Sequence, residues 1–415
     1  MSIRSAADVR SSRQRRRVRY AAQRVLWNVS SLKRVRACGR RLRSEDGAQL
    51  RVTVGEDGRS HAGFAGVQTC GSVWACPNCS ARIMAFRAAE IAQAVDGWEA
   101  TGGRDGTGGQ VAFFTFTMRH HAGMRLADIW DALSEGWHAI TAGKVHQAEK
   151  AVYGQETTRV VASGRRKGET VPCHVLPWLR VVELTHGVAN GWHLHVHALV
   201  FLDKDVTEDE VHDLYRTWWG RWKAGLESAG VDGALMVNEA RVLRGKEVAA
   251  RIGKYATKAV YTAGEVGGLE VGRGDLKSGR FGNRGIWEVL RDVVLQPNGP
   301  ELVERDAALW REYEQASKRR RQMTWARGAR DLLGLGVEVD DETIADEEVG
   351  TVEDAVVNLP PASWRDLVRV PGRRVELLEA VESVPIGQAR ATATRLLDAW
   401  ALDWLDAPPP RASVH

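Results

Sequence analysis

The amino-acid sequence predicts an α+β protein with a central antiparallel sheet and flanking helices. Three segments, 110–117, 179–185 and 194–202, are rich in aromatic and β-branched residues or alternate in polarity, as strands do. A short loop with two glycines and an asparagine joins the second segment to the third, which favours a hairpin. Amphipathic runs before and after these strands predict helices that cover the sheet.

The other elements follow from periodicity and from end signals. Thr207, with Glu210 three residues later, forms a capping box that opens a helix. A Gly-rich stretch at 101–109 predicts a loop, and residues 235–243 a fourth strand. Apolar spacing predicts helices over 81–99, 128–150, 207–228, 246–261, 285–294, 300–335, 364–367, 374–384 and 387–405.

Length and hydropathy place limits on the class of protein. A chain of 415 residues is long enough for two or three domains with sizeable cores. It contains no apolar run of membrane-spanning length, and no apolar stretch follows the N-terminal arginines as it would in a secretory signal. We therefore expect a cytoplasmic protein with no membrane partner.

The charge distribution is more informative than the net charge of +5. Residues 1–44 hold fourteen Lys or Arg and one acidic residue, whereas residues 337–354 hold nine acidic residues and no basic one. This asymmetry predicts that the N-terminal segment, with Arg15, Arg16 and Arg17 at its centre, binds a polyanion. The alternative is a solvated basic tail. The sequence has no Gly-rich phosphate-loop motif, which argues against a nucleotide-driven motor.

The cysteine spacing predicts a structural zinc site. The chain has five cysteines, an odd number: Cys38, Cys70, Cys76, Cys79 and Cys173. A disulfide framework is disfavoured without a secretory signal, and the C-x2-C turn at Cys76 and Cys79 positions two thiolates for one Zn²⁺ ion. Cys70 and Cys38 complete a four-thiolate set, although His61 is an alternative to Cys38, and buried free thiols are the alternative to metal. Cys173 is expected to be a small core residue.

The clearest sign of chemistry is the run from Trp192 to His197. His193, His195 and His197 fall on one face of a strand, with neighbouring imidazoles about 7 Å apart at Cα, a workable spacing for one divalent ion. Histidines in a core would each need a polar partner, which makes a purely structural role costly. A hairpin centred near residue 189 places Glu183 opposite His195, predicting a Mg²⁺ or Mn²⁺ site; the alternative for Glu183 is an edge-strand surface charge.

A second signal is the segment Lys254–Lys258, in a predicted helix. Tyr255 and Lys258 lie three residues apart and share a helix face. A phenol with a pKa near 10 is a poor nucleophile, and a nearby cation favours the phenolate that it needs. A Tyr and a Lys at this spacing are common in helices. The pair becomes informative because it occurs in the same sequence as the histidine strand.

At this point the sequence resembles the HUH endonucleases, and among them the rolling-circle replication initiators of Gram-positive plasmids. The resemblance covers about residues 36–350, including cysteine and tryptophan blocks at 70–82 and 309–328 that are similar to those of actinobacterial members. Its three core blocks are Phe113–Thr117, Gly191–His197 and Lys254–Lys258.

The resemblance implies an HUH endonuclease fold, with paired histidines on a central strand and a nucleophilic tyrosine on a nearby helix. It implies that Tyr255 attacks a phosphodiester, keeps the 5′-phosphate and frees a 3′-hydroxyl primer. His195 and His197 then bind the metal, while His193 supports the ligands without binding the ion, and Lys258 pairs with the scissile phosphate. The implied partners are single-stranded or cruciform origin DNA and a host helicase and polymerase acting in trans.

One position departs from the family pattern. Relatives with a single tyrosine often carry a glutamate four residues before it, where this chain has Arg251. Glu247 or Tyr261 is the expected substitute, so Glu247 joins the predicted catalytic residues. The departure bears on how the reaction ends rather than on how it begins.

The segment Lys318–Arg321 is predicted to contact DNA. Lys318, Arg319, Arg320 and Arg321 offer four cations for phosphates, and Trp310 and Trp325 offer rings for bases. A solvated helical face is the alternative. The predicted division of the chain is a basic flexible arm (1–35), a cysteine-rich module (36–100), the nickase domain (105–270), a C-terminal helical DNA-contacting region (285–336), an acidic linker (337–362) and a helical tail (363–415).

Two other classes of protein compete with a replication initiator. A conjugative relaxase or HUH transposase shares the site, but relaxases usually carry a histidine triad and an N-terminal tyrosine, whereas Tyr255 follows the histidines here. A zinc-stabilised DNA-binding repressor without catalysis explains the arm and the cysteines. It does not explain why His195, His197 and Tyr255 occur together.

Overall fold

The computed structural model describes residues 6–55, 58–103, 106, 108–232, 240–243, 283–295 and 300–406. The strands, β1 to β11, are Ala48–Val54, Ser60–Ala65, Gln110–Thr117, Gln155–Val160, Thr170–Val175, Trp178–Gly187, Gly191–Leu202, Arg241–Leu243, Asn283–Gly285, Met323–Trp325 and Ala355–Leu359. The α-helices, α1 to α13, are Ala6–Val29, Lys33–Ala37, Pro77–Thr101, Leu126–Thr141, Gly143–Tyr153, Glu208–Ser228, Ile286–Leu295, Pro300–Ala316, Ala329–Leu332, Asp341–Asp346, Pro361–Arg369, Arg373–Glu382 and Ile386–Ala399.

A mixed α+β architecture with antiparallel sheets is present, as predicted. The central sheet has the order β10-β6-β7-β3-β8, and β9 also pairs with β6. Its longest strand, β7, lies between β6 and β3, so the histidines sit in the middle of the sheet. Gly191 closes the β6–β7 turn with φ +72°, where a Cβ atom would lie 2.8 Å from the Cα of Ala122. Glycine is therefore required at this turn.

Helices cover the two faces of the central sheet with aromatic side chains. Phe114 and Phe116 project from β3 towards α6, where the Trp218 ring lies 5.6 and 6.4 Å from theirs. Phe201 projects from the opposite face, and the Trp98 ring of α3 packs edge-on against it at 6.0 Å. Both layers of aromatic side chains are buried. On the face that carries Phe201, the end of the sheet that holds the histidines is half-buried.

The front end of the chain is a helix and not the flexible arm that its composition predicted. Helix α1 is ordered because its arginines meet acidic residues of the tail. Arg16 donates two hydrogen bonds of 2.7 and 2.8 Å to Glu382, and Arg17 bonds to Glu379. Trp27 of the same helix belongs to the apolar core of the three-stranded sheet β11-β1-β2.

The acidic segment is structured and is not a linker. It contains α10 and β11, and β11 pairs with β1 of the cysteine module. Arginines of that module neutralise its charge: Arg87 lies 2.9 Å from Asp341 and Arg51 lies 3.2 Å from Glu348. The cysteine module, which ends at residue 100, and the tail, which begins at residue 363, therefore share one apolar core although more than 250 residues separate them in sequence.

Two predicted helices are interrupted. The helix expected over 128–150 is two helices, α4 and α5, because Gly143 adopts φ +80°. The helix expected over 300–335 ends at Ala316, and β10 follows it and pairs with β6. The strand expected over 235–243 is described from residue 240 onward, and the helix expected over 246–261 lies outside the described residues. None of the described helices is both long and apolar enough to span a membrane.

Candidate active site and cysteine cluster

The β6–β7 hairpin brings a carboxylate to two imidazoles. Glu183 is directly opposite His195, the register predicted from a turn centred at residue 189. Its Oε2 atom lies 3.0 Å from His195 Nε2 and 3.3 Å from His197 Nε2. All three side chains project from one face because paired residues of an antiparallel sheet share a face.

The donor set fits a divalent cation. One ligand atom from each of the three residues lies within 4.8 Å of the other two, and the set combines two nitrogens with one oxygen. Ligands about 2.1 Å from an ion and at right angles to each other are about 3.0 Å apart, which is close to the distances from Glu183 to the two histidines. Three protein ligands leave further coordination positions for water or phosphate.

Neighbouring groups orient the histidines. The Thr115 hydroxyl lies 3.1 Å from His197 Nδ1, and the Phe113 ring stacks on His197 at 5.3 Å. When the hydroxyl accepts from Nδ1–H, Nε2 keeps its lone pair for a metal ion. The buried Nδ1 of His195 has no hydrogen-bond partner in the described part of the chain.

His193 belongs to a different pair of imidazoles. It is outside the metal-ligand group, and its Nδ1 lies 2.6 Å from Nε2 of His120. Nδ1 of His120 in turn lies 2.8 Å from the carbonyl oxygen of Asn190. Burial, together with the neighbouring His195 and His120, lowers the pKa of His193 to about 4, so the imidazole is neutral at pH 7.

His120 was not predicted from the sequence. It lies three residues after β3, in a loop with no periodicity to interpret. The sequence feature that could have identified His120 is its position shortly after Thr117, because Thr117 is opposite His195 on the neighbouring strand. The structure places Glu183, His195 and His197 together with His193 beside them, whereas Tyr255, Lys258, Glu247, Arg251 and Tyr261 lie outside the described residues.

The four predicted cysteines converge on one point. Cys38 Sγ lies 3.7 Å from Cys76 Sγ and 3.6 Å from Cys79 Sγ, and Cys70 lies 3.6 Å from Cys79. These distances are too long for disulfides and match the edges, about 3.8 Å, of a tetrahedron with four thiolates about 2.3 Å from Zn²⁺. His61 is not part of the group. The thiol donors suit zinc, and the structure does not identify the ion.

Two distant helices contact this cluster. From α1, the Gln23 side-chain amide lies 3.4 Å from Cys38 Sγ, and Trp27 Nε1 donates to the Cys38 carbonyl at 3.0 Å. From α12, the buried Arg374 donates to the Gly39 carbonyl at 2.7 Å. Burial lowers the pKa of Arg374, while the nearby Tyr20 and Cys38 raise it. A cationic guanidinium beside four thiolates offsets part of their charge, so metal binding and docking of both helices are coupled.

Cys76→Ser is expected to remove bound zinc and to lower the Tm by roughly 10 °C or more, because a structural site contributes its binding free energy to folding. Zinc content by elemental analysis and thermal unfolding of the purified full chain measure both effects. Cys173→Ser is the matched control, since Cys173 is a half-buried thiol in β5 that is not part of the cluster. A Cys76→Ser protein that keeps one zinc per chain and the parent Tm would contradict this role.

The predicted DNA-contacting residues are not equally available. Arg16 and Arg17 are engaged by the tail, Arg320 pairs with Asp131, and Arg321 pairs with Glu338. Lys318 and Arg319 are exposed. Trp310 is fully buried and cannot stack on a base, whereas Trp325 is half-buried. Arg15 also makes a contact within the chain.

Comparison with known proteins gives two relatives. The chain is 28% identical over 364 residues to a protein named protein rep from Streptomyces lividans, a match that covers 77% of this chain and 76% of the relative. It is 32% identical over 184 residues to a neomycin resistance protein from Streptomyces cyanogenus, a match that covers 40% of each chain. No family model and no solved structure matches.

Proposed function

We propose that this protein is a rolling-circle replication initiator of the HUH type, which nicks one strand at an origin and joins itself covalently to that strand. The observation that carries the proposal is the group formed by Glu183, His195 and His197 on the half-buried face of the central sheet. Similarity to the Streptomyces lividans protein rep supports a role in replication. The resemblance of the Lys254–Lys258 block to the family motif supports Tyr255 as the nucleophile.

The proposed reaction is a transesterification. The Tyr255 oxygen forms a bond to the scissile phosphorus, and the bond from phosphorus to the 3′ oxygen breaks. The phenol loses its proton and the leaving oxygen gains one, which yields a 5′-phosphotyrosine and a 3′-hydroxyl primer. The number of phosphoester bonds is unchanged, so no nucleotide is consumed. Attack by a 3′-hydroxyl on the phosphotyrosine later rejoins the strand.

The chain's residues have separate roles in this proposal. His195 and His197 present Nε2 lone pairs and Glu183 a carboxylate oxygen, and Thr115 fixes the orientation of His197. A Mg²⁺ or Mn²⁺ ion bound by them would act as a Lewis acid on the scissile phosphate. Lys258 is proposed to form an ion pair with the same phosphate.

The end of the cycle and the partners are assigned by the same proposal. Glu247, eight residues before Tyr255 in the sequence, is the proposed base for termination, since Arg251 occupies the position where relatives carry a glutamate. The proposed substrate is single-stranded or cruciform origin DNA. Strand separation and synthesis are assigned to a host helicase and polymerase acting in trans.

Metal-dependent cleavage separates this function from that of a DNA-binding repressor. Single strands that tile the candidate origin are incubated with the full chain and Mn²⁺ or EDTA, then resolved on denaturing and native gels. An initiator produces a discrete cleaved strand with Mn²⁺ and none with EDTA. Retardation without cleavage on every strand, by folded protein with metal bound, would favour the repressor.

Thr115→Val is expected to weaken Mn²⁺ activation of cleavage by roughly 10–100-fold, because it removes the hydroxyl that orients His197. Valine keeps the shape of the side chain, and the bond from Tyr215 to the Thr115 carbonyl is retained. The measurement is the Mn²⁺ concentration for half-maximal cleavage. Thr158→Val, on the exposed hairpin strand β4, is the matched control. An unchanged metal requirement in Thr115→Val would remove this orienting role.

A further inference from the structure

A cleft of about 730 Å³ lies beside the edge of the central sheet. Met323 and Trp325 of β10 line it on one side, and the cysteine module with α2 lines it on the other. Met323 is opposite Val181, and Val181 is opposite His197, so the β10 side chains share the histidine face. Met323 is therefore a diagonal neighbour of Glu183, about 7–8 Å away. The strand register therefore relates the cleft to the candidate metal site through Met323.

Basic side chains outnumber acidic ones in the cleft, and the acidic ones have partners within the protein. Seven basic and five acidic side chains line it. Three of the acidic ones are paired with lining arginines: Glu342 with Arg34, Asp341 with Arg87, and Glu338 with Arg321. A fourth, Asp340, caps α10 by accepting from the Thr343 amide, and the fifth, Glu314, accepts from Ser30 and Ser31.

Three exposed cations remain without an ion-pair partner among the residues that the structure describes. They are Lys33 of α2 and the adjacent Lys318 and Arg319. Arg319 adopts a left-handed backbone conformation, with φ 63°, in the turn that follows α8. These three cations outnumber the two lining carboxylates that have no described ion pair, Asp340 and Glu314, so the cleft keeps a net positive charge that favours an anion.

Buried polar atoms in the cleft also lack partners. Ser317 is fully buried and Gln322 is 9% exposed, and both line the cleft. The Ser317 hydroxyl and the Gln322 Oε1 atom have no hydrogen-bond partner within the described ranges. Unsatisfied buried polar groups are rare in folded proteins, and these two lie next in sequence to the cations of the cleft, in the wall behind its accessible surface.

We propose that this cleft binds the substrate strand beside the scissile phosphate, with Lys33, Lys318 and Arg319 contacting phosphates and Trp325 stacking on a base. The inference rests on the proposed nicking function and names the path of its substrate. An anionic ligand with flat rings matches the three exposed cations without ion-pair partners and the half-buried indole of Trp325. A volume of about 730 Å³ accepts one or two nucleotides of a single strand and not a duplex.

The first test measures binding of an oligothymidylate of about 30 nucleotides by fluorescence anisotropy over a range of salt concentrations. Lys318→Gln with Arg319→Gln is expected to weaken binding about tenfold or more at low salt and to lower the salt slope by about 1.4, or 0.7 per lost phosphate contact. The matched control is Arg165→Gln with Lys167→Gln, two exposed cations of the β4–β5 hairpin. This control removes the same charge and is expected to bind nearly as the parent does.

The second test locates the strand directly. Oligothymidylate that carries photoreactive 5-iodouracil is cross-linked to the unmodified full chain, and the adducts are mapped by mass spectrometry. Cross-links to the peptide that holds Met323 and Trp325 are expected. Cross-links confined to other surfaces, or a Lys318/Arg319 variant with the parent salt slope, would overturn the cleft proposal. If the parent also cleaves origin strands, the proposed function survives that result; if the parent binds no single strand, both proposals fail.

Discussion

Tyr255→Phe is expected to abolish the covalent protein–DNA adduct while leaving single-strand binding within about twofold of the parent. Phenylalanine keeps the ring and removes the oxygen that is proposed to attack the phosphorus, so no bond to DNA forms. Removal of a nucleophile typically costs about 10³-fold or more in rate. The measurement is the fraction of chain that migrates as a DNA adduct on a denaturing gel with Mn²⁺, beside anisotropy for binding.

Tyr261→Phe is the matched control for this variant. The residue is a tyrosine six positions further along the same predicted helix, and the change removes an identical hydroxyl. It is expected to keep adduct formation at initiation. Adducts that persist in Tyr255→Phe and disappear in Tyr261→Phe would move the nucleophile to Tyr261.

His195→Ala combined with His197→Ala is expected to abolish cleavage at every Mn²⁺ concentration tested. The double change removes both nitrogen donors and leaves Glu183 alone, and one carboxylate does not hold a divalent ion against water. Cleavage of the origin strand and Mn²⁺ binding by calorimetry are measured on the same preparation.

Two controls separate loss of metal from loss of fold. His138→Ala with His212→Ala removes two imidazoles from the outer sides of α4 and α6 and is expected to cleave normally. The thermal unfolding of the histidine-strand variant is also compared with that of the parent, and an unchanged transition shows that the variant is folded. Normal cleavage by a folded variant without both strand histidines would remove the metal hypothesis.

The hairpin at the candidate site was predictable because its register depends on a short turn. With the turn centred at residue 189, alternation alone places Glu183 opposite His195 and puts three histidines on one face. The cysteine cluster was predictable for a similar reason, since the spacing of Cys76 and Cys79 is local. The hairpin and the Cys76–Cys79 turn are set by contacts that are close in sequence, whereas Cys38 joins the cluster from 38 residues before Cys76.

The features that the sequence did not predict depend on distant partners. Strand β10 interrupts a predicted helix because it pairs with β6, which lies more than 130 residues earlier in the sequence. Helix α1 is ordered by Glu379 and Glu382, and the acidic segment by Arg51 and Arg87. By itself, each of these charged segments looks like a solvated surface run. The segment of opposite charge that pairs with it lies more than 250 residues away in the sequence.

The most direct test of the account is to identify the residue that carries DNA. The full chain is incubated with Mn²⁺ and the cleaved origin strand, digested with nuclease and protease, and analysed by mass spectrometry for a nucleotide adduct. The account predicts a phosphodiester-linked nucleotide on the peptide that contains Tyr255, with a free 3′-hydroxyl on the released strand. Cleavage that leaves no adduct on any tyrosine, or an adduct on a residue other than Tyr255, would contradict it.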